Sequence, residues 1–182
     1  MSTSTQCAVR LSIALLASML PACGLPQRHG AHDHAAVDAA FTRLAGLQGE
    51  WVDPTGSLGA PDVVQATWRL TGGGSAVVET LFPGTPDEMV TVYHKDGHDL
   101  VLTHYCSAGN QPRMRATSLG EHVIQFDFDG GCNIDPARDM HMHSGRLEFV
   151  SGDELHAEWQ GWEDGKADPD HLAQFRLVRK KG

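Results

Sequence analysis

The chain has 182 residues, of which 41% are hydrophobic and 20% charged, and a net charge of −9. That length fits one domain of ordinary globular composition and excludes a disordered or collagen-like chain. Its basic cluster, Arg176, Arg179, Lys180 and Lys181, sits in the tail of an otherwise acidic chain. This balance argues against nucleic acid and anionic lipid surfaces as partners.

Residues 1–10 are polar and end in Arg10, the only charge in residues 1–22. Leu11–Leu20 is a compact apolar run. At ~1.5 Å per residue it spans roughly half a bilayer core, too little to cross a membrane. The length fits the apolar region of a secretory signal, so residues 1–22 read as a signal peptide. Leu20-Pro21-Ala22-Cys23 resembles a bacterial lipobox, which makes Cys23 the acylated N-terminus and leaves a lipid anchor as the one membrane contact. Ordinary cleavage near Ala22, leaving Cys23 as a free thiol, is the other reading. Gly24 offers no acidic retention signal, so the lipobox resemblance implies an outer-membrane lipoprotein of the bacterial cell envelope, facing the periplasm. Residues 23–39, with His29, His32 and His34, read as a flexible tether, either simply solvated or holding a transition metal loosely.

Phe41, Leu44 and Leu47 recur three apart and predict a short helix over residues 38–48. Beyond it the apolar period changes to two. Strands are expected near 50–53, 63–71, 75–82, 88–95, 98–106, 112–118, 121–129, 139–150, 153–162 and 171–180. Turn signals divide them, among them Gly72-Gly73-Gly74, Asp96-Gly97 and Asp164-Gly165. Ten short strands without crossover helices cannot form a parallel sheet. A meander of that length exposes its edges unless it closes. The expected fold is therefore all-β: an up-and-down antiparallel β-barrel of about ten strands with a short N-terminal helix, over residues 40–182. Its interior has room for one small ligand.

Leu47-Gln48-Gly49-Glu50-Trp51, directly after the helix, resembles the Gly-x-Trp opening of calycin-type barrels, the group of lipocalins, fatty-acid-binding proteins and nitrobindin-like proteins. The resemblance implies that Trp51 plugs one end of the barrel and that a basic residue of the last strand covers it. Arg179, in phase with Phe175 and Leu177, fits better than Arg176. The stretches Met89–His94, Thr103–Cys106 and Asn110–Pro112 are similar to an uncharacterised family of bacterial secreted proteins over residues 41–180. Nitrobindin-like relatives bind haem, but Val52-Asp53-Pro54 stands where that group has glycines after the Trp.

Strand alternation puts Leu100, Leu102, His104 and Cys106 on one face, and His141, His143, Leu147 and Phe149 on another if no bulge intervenes. Met140 and Met142 are then expected to face outward. His104, Cys106, His141 and His143 can converge as a zinc or copper set. They can equally be hydrogen-bonded interior residues, or polar anchors for a ligand's head group. Asn110, Gln111 and Arg113 are further head-group candidates near the barrel mouth, or turn residues. Cys106 and Cys132 remain once Cys7 and Cys23 are set aside, and read as a disulfide in an oxidising compartment or as two free thiols. The chain contains no nucleophile elbow, no metalloprotease helix motif, no phosphate loop and no dinucleotide fingerprint. The expected function is non-enzymatic binding of a small apolar or amphipathic molecule, with His104, His141 and His143 orienting a polar group and no cofactor required. The alternative is a zinc, copper or haem barrel with a redox or small-molecule role.

Overall fold

The computed structural model describes residues 32–181. The signal peptide, Cys7, the Cys23 anchor and most of the tether lie outside the described residues. Ten strands follow one helix: α1 (His34–Gly46), β1 (Gly49–Val52), β2 (Val64–Thr71), β3 (Ala76–Leu81), β4 (Met89–Asp96), β5 (Asp99–Tyr105), β6 (Gln111–Leu119), β7 (Val123–Cys132), β8 (His141–Ser151), β9 (Glu154–Glu163) and β10 (Lys166–Arg179). Each strand pairs antiparallel with its neighbours in sequence, and β1 pairs with β10 to close the barrel. The closing seam is short, Trp51 with Arg179 and Val52 with Val178, and joining first strand to last in this way limits the free edge that a long meander would otherwise expose. Among the described residues, no helix is long and apolar enough to cross a membrane.

Alternation along the strands builds the interior. Val77 and Leu81, Leu100 and Leu102, Met114 and Ala116, Ile124 and Phe126, Leu155 and Ala157, and Phe175 and Leu177 are all buried. Helix α1 buries Val37, Ala40, Phe41 and Leu44 on a single stripe, the three-and-four spacing that brings side chains to one helical face. It closes the barrel end that carries the β4–β5, β6–β7 and β8–β9 turns. Lys95 Nζ lies 2.6 Å from Asp38, and Arg43 donates to the Gly120 carbonyl at 2.8 Å. The opposite, distal end carries residues 53–63, 82–88, 106–110, 133–140 and 164–165.

Helix α1 starts at His34 and not at Asp38, because Asp33 caps it by accepting from the Ala35 amide at 3.4 Å. Residues 34–39, expected in the tether, are therefore helical, and His32 Nε2 already reaches the Ala116 carbonyl at 3.0 Å. Strand β10 likewise begins at Lys166 and not near 171. It continues straight from the Asp164-Gly165 turn, and its register against β9 breaks between Ala167 and Leu172.

Trp51 is fully buried and lies opposite Arg179 in the β1–β10 ladder. Its indole nitrogen donates to the Leu47 carbonyl at 2.8 Å. The Arg179 guanidinium stacks 4.6 Å from the Trp51 ring, and donates to Asp153 at 2.8 Å and to the carbonyls of Gly46, Gln48 and Gly152. Gly49 has φ of +126°, and a Cβ there would stand 3.2 Å from the Arg179 guanidinium. Both facts call for glycine two residues before the tryptophan.

Candidate ligand site in the barrel

A polar row crosses the apolar interior. In register, Trp68 on β2 faces Glu79 on β3, Glu79 faces Thr91 on β4, and Thr91 faces His104 on β5. Residues directly opposite one another on one face of a sheet have touching side chains. The Thr91 hydroxyl and His104 Nδ1 are 2.9 Å apart. Tyr93, two residues further along β4, donates its hydroxyl to Glu79 Oε2 at 2.7 Å. Glu79, Thr91 and Tyr93 are at most 1% exposed, and His104 is 3% exposed.

Burial sets the protonation of this row. A carboxylate removed from water is expensive, so the Glu79 carboxyl is pushed up to about 7, although hydrogen bonds from Tyr93 and Thr91 favour its ionised form. Burial lowers His104 to about 4, which keeps the ring neutral. Burial, reinforced by the Glu79 charge, raises Tyr93 well above its ordinary value, so it stays a donor.

Two tryptophans flank the row. Trp68 stacks on Tyr93 with ring centroids 5.4 Å apart, and Trp159 on β9 stacks on His104 at 5.7 Å. Both indole N–H groups are buried without a hydrogen-bond partner. Buried donors nearly always find an acceptor, so each indole is open to one from outside the chain, a water or a guest. Trp159 fits because Gly145 faces it in the β8–β9 ladder; a Cβ at Gly145 would lie 2.5 Å from the Trp159 ring.

His141 and His143 form a separate cluster at the distal end. The β8–β9 register breaks between Met142 and Ser144. Such a bulge inserts a residue and resets which side chains face inward. Met142, expected outward, therefore packs against the core. His141 is fully buried and its Nδ1 is 2.8 Å from the Asp139 carbonyl, while its Nε2 is 3.0 Å from His143 Nδ1. A carbonyl only accepts, so Nδ1 of His141 carries the proton. With both rings neutral, His143 Nδ1 must donate to His141, which leaves His143 Nε2 with a bare lone pair. The His143 ring is stacked between Trp162 at 3.8 Å and Phe128 at 5.0 Å. Burial, with His141 adding to it, holds His143 below its ordinary value.

The structure does not bring His104, Cys106, His141 and His143 together as a metal set. Among the described residues, no three His, Cys, Asp or Glu side chains gather in a metal-holding group. His104 is engaged by Thr91 and Trp159, and the other two histidines by Phe128 and Trp162. Cys106 and Cys132 are free thiols, and the weighed disulfide is not formed. Cys132 pairs with Gln111 on β6, while Cys106 directly follows β5. A whole strand separates them, roughly 10 Å at ordinary strand spacing, beyond the reach of a disulfide.

The remaining head-group candidates also fall outside the barrel. Gln111 and Arg113 line an open groove of about 600 Å³ on the outer wall, with Thr103, Tyr105, Asp129 and Cys132. Arg113 pairs with Asp96 there at 3.0 Å. Asn110 is buried, but its amide donates to the Met140 carbonyl at 2.7 Å and so ties the β5–β6 loop to the β7–β8 loop. Asp53, also buried, holds its own loop. Burial pushes its carboxyl up, but hydrogen bonds from Thr55, Ser57 and Leu58 more than offset this and keep it well below the carboxylate range.

Sequence reasoning missed Glu79, Thr91, Tyr93, Trp68 and Trp159 as site residues. The signal was present: Val77-x-Glu79-x-Leu81 and Thr91-x-Tyr93 keep the same alternation that put His104 inside. No family model matches the chain, and no curated protein matches it.

Proposed function

We propose that the barrel is a non-enzymatic binding module for a small apolar or amphipathic molecule, held in the bacterial envelope by the Cys23 anchor. The observation that carries this reading is the Glu79–Thr91–His104 row with two partnerless indole N–H donors beside it. A few placed polar groups in an apolar interior are the usual construction of a small-molecule site. The interior side chains near the row keep a trace of accessibility: Trp68 2%, His104 3%, Trp159 3%, Ala157 5% and Phe175 6%. By contrast Leu100, Leu102, Phe126 and Leu147, on the apolar part of the wall, have none. These values support the polar wall as the side on which a guest's head group would be met. Apolar burial at ~25 cal/mol per Å² gives a lipid-sized guest about micromolar affinity after the costs of association.

Native mass spectrometry of the protein tests this directly. A bound organic molecule released on denaturation is the expected result. Protein that is empty in every preparation, and stays empty after incubation with amphiphiles, contradicts it.

A second reading, a metal- or haem-binding barrel, has one observation in its favour: the bare His143 Nε2, held rigidly between two aromatic rings. One imidazole can serve as a lone axial ligand but falls short of a zinc or copper set. Elemental analysis and a visible spectrum decide it: stoichiometric metal lost in His143→Ala would replace the first reading with this one.

A further inference from the structure

We infer that the Glu79–Thr91–His104 row is a proton-operated switch that sets the hydrogen-bonding polarity of the site, so that the barrel holds an acceptor head group, a carbonyl or carboxyl oxygen, when the row is protonated and releases it when the row loses its proton. This deepens the proposed binding function and rests on it.

The argument follows hydrogens along the row. With Glu79 ionised, its carboxylate is acceptor-only. It accepts from Tyr93 at 2.7 Å, and it draws the hydrogen of the Thr91 hydroxyl, its register partner on β4. The single Thr91 hydrogen is then committed to Glu79, so Thr91 accepts from His104 across their 2.9 Å contact. His104 carries its one proton on Nδ1, and Nε2 is a lone pair. With Glu79 protonated, the row can reverse. Glu79 keeps accepting from Tyr93 on Oε2 and donates its new proton to Thr91. Thr91 turns its hydrogen to His104 Nδ1, and the His104 proton resides on Nε2. One proton enters and none is left over. Chains of hydrogen bonds polarise one another, which favours such concerted reversal over a broken intermediate.

The two states present different surfaces. The protonated row adds an Nε2–H donor from His104 to the two orphaned indole donors of Trp68 and Trp159. Three donors suit an oxygen acceptor. The ionised row replaces one of them with a lone pair and adds a buried negative charge, both of which repel an acceptor. The titratable groups within the row are Tyr93 and His104, and β2 contributes the uncharged Trp68. Charged residues of the neighbouring strands, Arg69, Lys95, Asp96, Asp99, Arg113 and Arg115, are not among the buried side chains. The transition falls near neutrality, since Glu79 is raised to about 7.

Two measurements test the switch, one without any ligand. Ring ¹⁵N shifts of His104 should report the Nε2–H tautomer at pH 6 and the Nδ1–H tautomer at pH 8. Glu79→Gln should remove the change. Tyr93→Phe, which deletes a bond that favours the ionised carboxylate, should move its midpoint upward. One tautomer at both pH values, or a midpoint unmoved by Tyr93→Phe, overturns the switch. The second measurement uses 2-decanone, an acceptor that does not titrate. Its Kd should be about tenfold lower at pH 6 than at pH 8, the ratio expected for a site that must bind one proton near pH 7. Equal affinity at both pH values overturns the linkage but leaves the binding function standing. If neither 2-decanone, decanoate nor decylamine binds at either pH, the binding function itself falls, and the tautomer measurement still decides the switch.

Discussion

Three residues, Arg179, Glu79 and His104, have their charge set by the fold in ways that a stability measurement can read. Arg179 stacks on Trp51 and donates to three carbonyls and Asp153 at the helix end. Arg179→Met keeps the aliphatic stem and removes these contacts, and should lower stability by about 2 kcal/mol in urea denaturation. Glu79 has its carboxyl raised from 4.5 to about 7 in the folded protein. Between those values the unfolded chain has released the proton and the folded chain retains it, so stability falls as pH rises through that window. Above it the loss is constant, at about 3 kcal/mol. His104, lowered from 6.5 to about 4, acts in the opposite sense: the unfolded chain takes up the proton first, so stability falls as pH drops through that interval. The two windows nearly coincide and run in opposite senses, so the wild-type protein should vary little between pH 4 and 7. Glu79→Gln removes one of them and should expose a stability that rises by about 3 kcal/mol as pH climbs from 4 to 6.5, as read from urea midpoints. Glu79 was overlooked in the sequence because a lone glutamate in a strand usually sits on a solvated face. His104 was legible because its neighbours at period two, Leu100 and Leu102, are plainly apolar.

At the scale of elements, the strands and turns were legible almost throughout, because period-two alternation and glycine turns are local properties. Asp96-Gly97, with Gly97 at φ of +62°, joins β4 to β5 where expected. The exceptions are non-local. The bulge between Met142 and Ser144 arises from pairing with β9, which no window of β8 alone contains, and it reversed the expected facing of Met142. The free state of Cys106 and Cys132 depends on β6 lying between their strands, again a matter of pairing order. Strand β8 also carries the testable glycine. A Cβ at Gly145 would meet the Trp159 ring at 2.5 Å, and the ring is buried. Gly145→Ala should cost about 1–3 kcal/mol. It should also shift tryptophan fluorescence by displacing Trp159 from His104.

The whole molecule is a closed barrel with one end shut by α1 and the Trp51–Arg179 pair, and with its polar row turned inward. Closure was legible from strand number and from the need to remove edges. The contents of the interior were not, because which rows align across β2 to β5 depends on the shear of the finished barrel. The alternative site on the molecule is the outer groove with Tyr105, Gln111, Arg113 and Cys132, where two of the expected head-group residues actually lie. A single ¹H–¹⁵N titration with 2-decanone at pH 6 separates the two, since each tryptophan gives its own indole signal. Shifts at the Trp68 and Trp159 indole N–H groups and at the His104 ring, with the outer groove unmoved, are the predicted result. Shifts confined to Tyr105, Gln111, Arg113 and Cys132, with both indoles silent, would contradict a guest inside the barrel.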